Sequence, residues 1–105
     1  GALIGGAMAV SLLSSREFDN MEDPLEERYV AYEMVKELTQ KFKNEYGSTR
    51  CYDIQMKLMN RSFNLWDDKA SEEFEKAGGH EDKCPSVVGN STRWSCEILN
   101  ERNLL

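Results

Sequence analysis

Between Asp23 and Gly47, apolar side chains recur every three to four residues: Ala31, Val35, Leu38 and Phe42, with Tyr29, Tyr32 and Met34 beside them. An α-helix turns that spacing into one continuous face. Asp23-Pro24 supplies the start, with Asp as N-cap, Pro in the first turn, and Glu26 and Glu27 near the positive end of the helix dipole. Gly47 supplies the stop. A helix from Pro24 to Tyr46 is roughly 35 Å long. A chain of 105 residues that invests this much in one amphipathic rod must bury the rod's face against other helices, because no stretch alternates as a strand does. The predicted fold is all-α: a small helical bundle of about four to five helices with one long helix, a single domain over residues 1–105.

The opening stretch, Gly1 to Leu13, carries no charge and is apolar on every side. A helix of that kind is buried all round rather than along one stripe. Ala2, Gly5, Gly6 and Ala9 are small and fall at helical spacing, which lets another helix approach closely. The glycine pair costs roughly 2 kcal/mol of helix propensity, which close packing must offset. The remaining chain is too small to cover every face. A homodimer through this first helix, or an upstream segment, is the expected cover. The chain starts with Gly and is read as the C-terminal part of a longer one. The apolar stretch is shorter than the roughly 20 residues a membrane span needs, so no membrane partner is expected.

Further elements follow from local signals. Ser48 or Thr49 should cap a third helix carrying Cys51, Ile54, Gln55 and Leu58. Asn60 to Asp68 reads as an ordered loop pinned by buried Phe63, Leu65 and Trp66. Ser71 to Ala77 reads as a short helix stopped by Gly78-Gly79, its acidic run a solvated face. Pro85 fits the first turn of a last helix, with Val88, Thr92, Ser95 and Leu99 along one face and Trp94 and Ile98 beside it.

Composition removes several function classes. The net charge is −6, and no basic tract exceeds two residues, so there is no grip for nucleic acid. Three cysteines are too few, and of the wrong parity, for a secreted disulfide scaffold. A reducing, cytoplasmic location with reactive or metal-binding thiols fits better. Met56 and Met59, near Phe63 and Trp66, read as core rather than as a cofactor pocket.

The remaining chemistry lies between Gly47 and Pro85. Cys51 follows Ser48-Thr49-Arg50, and Cys84 follows Lys83 and precedes Pro85, so each thiol stands beside a cation at an expected helix start. Both conditions lower a thiol's pKa and favour the nucleophilic, metal-binding thiolate. Against this, free cysteines are often simply buried small hydrophobes. Cys96 is read that way. If one helix carries both Cys84 and Cys96, their Cα atoms lie roughly 18 Å apart, too far for a disulfide. His80, the single histidine, follows Gly78-Gly79 and lies four residues before Cys84. It could ligate a metal or assist a thiolate, or it could anchor a loop. With no Cys-x-x-Cys pair and no second histidine, a zinc site from one chain needs carboxylates such as Asp82.

Four stretches carry a resemblance. Gly1-Ala-Leu-Ile-Gly-Gly-Ala-Met-Ala9, Phe42-Lys-Asn-Glu-Tyr-Gly-Ser-Thr-Arg-Cys51, Gly78-Gly-His-Glu-Asp-Lys-Cys-Pro85, and Ser91-Thr-Arg-Trp94 with Glu97-Ile-Leu99 all resemble segments of the C_GCAxxG_C_C family. These are small helical bacterial and archaeal proteins described as redox-active. The match runs over nearly the whole chain but only the later part of the family pattern. The family's Gly-Cys-Ala element and a cysteine expected before Gly1 fall outside it, and Val88 stands where many relatives carry a further cysteine. The resemblance implies redox chemistry at Cys51 and Cys84. They would act as a reversible disulfide or as ligands, with His80, to an iron–sulfur cluster or other metal, serving a redox partner protein. The alternative is a non-catalytic helical interaction module whose cysteines are structural.

Overall fold

A computed structural model describes all residues from Gly1 to Leu105. Five α-helices follow one another: α1 (Ala2–Ser11), α2 (Glu27–Tyr46), α3 (Cys51–Met59), α4 (Asp68–Lys76) and α5 (Cys84–Glu101), with a π-helical turn at Gly79–Lys83 leading into α5. The all-α bundle with one long helix is what the chain forms. It is elongated, 52 × 26 × 20 Å. No helix is long and apolar enough to cross a membrane.

The core is the seam where α2 and α5 meet. Met34, Leu38, Phe42 and Tyr46 from α2 face Val87, Trp94, Ile98 and Leu99 from α5, with Ile54 of α3 and Val10 of α1 at its margins. Each large side chain buried there stabilises the fold by about 1.5–3 kcal/mol relative to exposure. Trp94 is the hub, edge-on to Phe42 at 5.5 Å and to Tyr46 at 6.3 Å between ring centroids. The Tyr46 hydroxyl accepts a 2.9 Å hydrogen bond from the Asn90 amide, which satisfies its polar end. The buried face of α5 is Val87, Ser91, Trp94, Ser95, Ile98 and Leu99. It is rotated from the expected stripe: Val88 and Thr92 are exposed. Trp94, the bulkiest residue, decides which side turns inward.

Three helix starts differ from expectation. α2 begins at Glu27, and Asp23 caps it from four residues upstream, accepting from the N–H groups of Glu27 (2.9 Å) and Arg28 (3.1 Å) and from the Arg28 guanidinium (2.9 Å). Desolvation pushes the Asp23 carboxyl upward, but those N–H groups and the guanidinium outweigh it and hold it below the ordinary carboxylate range. α3 begins after Arg50, whose side chain makes no cap; Ser48 Oγ instead accepts the Arg50 N–H and donates to Asp53. α4 starts at Asp68 rather than Ser71, because Asp67 accepts the Ala70 N–H as N-cap. The segment before it is not pinned by three aromatic or aliphatic anchors. Trp66 is 97% exposed and Leu65 is also exposed, while Phe63 alone packs, against Phe74 at 5.4 Å.

α1 is the largest departure from a buried-all-round helix. It rests on α2 and α5, but of its ten residues only Val10 is fully buried, and Ile4 and Met8 are about two-thirds exposed. Gly6 explains the close approach on the inner side. A Cβ there would lie 2.8 Å from both Leu38 and the Ser91 hydroxyl. Ser91 Oγ donates to the Ala2 carbonyl at 2.8 Å, fastening the start of α1 to α5.

Candidate functional site

α1, the start of α3 and one side of α5 enclose a groove-like cavity of about 740 Å³. All three cysteines line it. Cys51 comes from the first residue of α3, Cys84 from the first residue of α5, and Cys96 from three turns further along α5. All three are free thiols; Cys51 and Cys96 are exposed, and Cys84 is half-buried. Cys51 and Cys84, 33 positions apart in sequence, thus line one cavity.

The two thiols do not share an environment. Cys51 stands at a true helix start with extended backbone before it, Arg50 at φ −91° and ψ 136°. Cys84 does not. The π-helical turn keeps the backbone helical through Lys83, and the Cys84 N–H already donates to the Gly79 carbonyl. No free helix N-terminus faces it, which removes one of the two influences expected to lower its pKa. Lys83 removes the other, since its Nζ is 3.2 Å from Asp82. Burial, then the nearby Cys51, pushes the Cys84 thiol above its ordinary value. The sequence reading of Cys84 as a cation-activated thiolate is corrected by this geometry.

Two glycines build the turn that delivers Cys84. Gly78 adopts φ 87°, and its carbonyl accepts N–H bonds from Glu81, Asp82 and Lys83. Gly79 is buried against the Phe74 ring, where an added Cβ would come within 2.3 Å of the ring carbons. His80 leaves this turn in another direction. Its Nδ1 pairs with a Glu75 carboxylate oxygen, its ring stands edge-on to Phe74 at 5.0 Å, and it does not line the cavity. Arg50 also points away from pure thiol duty, 4.0 Å from Asp53 and over the Tyr52 ring.

Cys96 does not pack as expected. It is exposed at the cavity wall, and along α5 it lies roughly 18 Å from Cys84, so the two cannot pair. The recurrence of Cys84, Val88, Thr92 and Cys96 every fourth residue was the available signal that α5 turns them toward one side. No three His, Cys, Asp or Glu side chains converge on a point that could hold a metal. The residues present in one copy thus do not make up the four-ligand set of a structural zinc or cluster site.

A family model described as "Putative redox-active protein (C_GCAxxG_C_C)" matches residues 1–98. The chain belongs to that family. No curated protein and no solved structure matches it. Membership of the C_GCAxxG_C_C family makes the cysteines the functional residues to weigh, and in this fold they share one cavity. Val88, where the sequence reading places a further cysteine in many relatives, lines the same cavity, as does Gly1.

Proposed function

We propose that this C_GCAxxG_C_C protein is a thiol–disulfide redox protein in which Cys51 and Cys84 cycle between two thiols and one disulfide. One observation carries the reading: two cysteines far apart in sequence line a single cavity. The asymmetry of the pair suits a division of labour. Exposed Cys51 is the attacking thiol, free to meet an incoming disulfide. Half-buried Cys84, with its raised pKa, is the resolving thiol, kept protonated until its partner is already a mixed disulfide. A cluster or metal site would need ligands beyond this chain's convergent side chains. His80 has no part in the exchange.

The outer face of α1, with Met8 and Leu12 exposed and no charge among its residues, is proposed to be covered by a second copy. An apolar helix face of this kind can pair with its own copy about a twofold axis.

The test of the redox reading is mass spectrometry after titration with a disulfide oxidant. The expected product is a Cys51–Cys84 disulfide, reversible with dithiothreitol. Persistence of two free thiols, or bridging only between Cys96 residues of different copies, would falsify it.

A further inference from the structure

Charged residues make up 30% of this chain, yet none of the 20 residues lining the thiol cavity has a charged side chain. Twelve of them are hydrophobic. Of the cavity's polar lining groups, Ser91 Oγ donates to Ala2, Thr92 Oγ1 to Val88, and Gln55 Oε1 accepts the Phe63 N–H, while the buried Ser95 hydroxyl has no partner. A molecule docking against Cys51 in this cavity therefore meets aliphatic and thiol surface, with no side-chain cation to pair a carboxylate and no carboxylate to pair an amine; the one positive group at the wall is the α-amino group of Gly1. Stripping water from an ionised group without a partner costs several kcal/mol. The volume, about 740 Å³, falls within the range of sites that take small molecules.

We infer that the disulfide substrate of this site is a small, uncharged, apolar disulfide, and that charged low-molecular-weight disulfides of the glutathione type are poor substrates. The inference rests on the dithiol–disulfide reading above and adds the substrate class. The exchange balances as follows. The Cys51 thiolate attacks one sulfur of R–S–S–R, forming a Cys51–S–S–R mixed disulfide and releasing RS⁻, which takes up the proton Cys51 lost. Cys84 then loses its proton and attacks Cys51 Sγ, forming the Cys51–Cys84 disulfide and releasing the second RSH. The small disulfide gains two electrons and two protons to become two thiols, and the protein dithiol loses the same.

The experiment uses the whole chain, reduced, with Cys96→Ser to silence the third thiol, an exposed position where serine is accommodated. Rates are measured with two aromatic disulfides whose released thiols are coloured: uncharged dithiodipyridine and doubly negative dithiobis(nitrobenzoate). About 1 M salt shortens the Debye length to roughly 3 Å, which removes general repulsion by the protein's net charge. The ratio of neutral to dianionic rate is compared with the same ratio in concentrated urea, where no cavity exists. Folding is expected to raise this ratio about tenfold. Val88→Ser, on the exposed rim, should lower the neutral rate about threefold and the dianionic rate by less, as expected for loss of part of one aliphatic side chain. A ratio equal in folded and unfolded chains overturns the substrate class. If the Cys51–Cys84 disulfide is still found by mass, the dithiol reading survives that result; if neither probe yields it, both readings fall.

Discussion

The starts of α3 and α5 look alike in sequence and differ in space. Each has a cysteine after a cation, with a helix following. At Cys51 the preceding backbone is extended, so α3 begins there and the thiol is exposed. At Cys84 the chain is already helical, because five residues of π-helix run in from Gly79 and take up the cysteine's own N–H. The cation differs too, since Lys83 is paired with its neighbour Asp82. A helix N-terminus lowers a thiol's pKa only if its N–H groups are unsatisfied. Neighbouring residue types do not reveal whether they are. The contrast yields one exposed thiol and one half-buried thiol within the same cavity.

The largest expected effect breaks the pair outright. Cys51→Ser should abolish formation of the intramolecular disulfide, read as the loss of the two-proton mass change on oxidation. Cys84→Ser should abolish it as well but leave a stable mixed disulfide between Cys51 and the oxidant. If the two variants behave identically, with neither trapping the adduct, the assignment of attacking and resolving roles is wrong.

Next in size is the turn that makes Cys84 different. Gly79→Ala drives a methyl group into the Phe74 ring, which is fully buried. Overpacking of this kind costs about 1–3 kcal/mol. Urea unfolding should show a lower midpoint with an unchanged slope. Gly78→Ala should also destabilise, through its φ of 87° rather than through a clash with aromatic carbon.

The pH dependence sharpens the comparison further. Burial, and then the proximity of Cys51, raises the Cys84 pKa above the ordinary thiol value, so its thiolate fraction at neutral pH is smaller than that of an ordinary thiol. Iodoacetamide should alkylate Cys84 more slowly in the folded chain than in the unfolded chain, with the midpoint of its pH–rate curve displaced upward. Cys51→Ser should bring that midpoint only part of the way back, because burial is the larger cause and remains. A full return would mean that repulsion between the thiols dominates. Across the molecule, Asp23 has the opposite sign. Its lowered pKa contributes stability that is complete above the unfolded carboxylate value and is lost as pH falls through the folded one. Asp23→Ala should therefore lower the melting temperature by a few degrees at neutral pH and less in acid.

Much of the fold was legible because periodicity and punctuation are local. The long helix, its Gly47 stop at φ 74°, the Gly78-Gly79 break and the all-helical class can each be read from neighbouring residues. The rotation of α5 was not, since it depends on Trp94 finding Phe42 and Tyr46 across the bundle. The first helix was read as buried all round, but only the side that meets α2 and α5 is covered, and the sequence could not say which side that would be. At the site, the meeting of Cys51 and Cys84 in one cavity was anticipated from residue type. Cys96 was missed because a single cysteine on a helix looks like core until the helix's facing is known. The protonation of Cys84 was misread because it depends on where hydrogen bonds go, not on which residues are adjacent.

The smallest expected effect concerns the histidine, and it is the most discriminating. Four residues before Cys84, on a glycine turn, His80 is well placed in sequence to act as a base. In space its Nδ1 is held by Glu75 and its ring by Phe74, outside the cavity wall. If it delivered or removed a proton at Cys84, general acid–base catalysis would be worth about a hundredfold or more in rate. His80→Ala instead removes an exposed pair worth at most about 1 kcal/mol. The rate of Cys51–Cys84 disulfide closure should change by less than about twofold, because such a surface change acts on fold stability and not on the reacting sulfurs. The pH midpoint of closure should stay where it is in the parent chain. A shift of that midpoint toward the thiol's own value, with the rate falling at neutral pH, would show that the ring swings from Glu75 to the sulfur during the reaction. Cys84 would then be a thiol activated on demand, and the difference between the two helix starts would lie in timing rather than in burial.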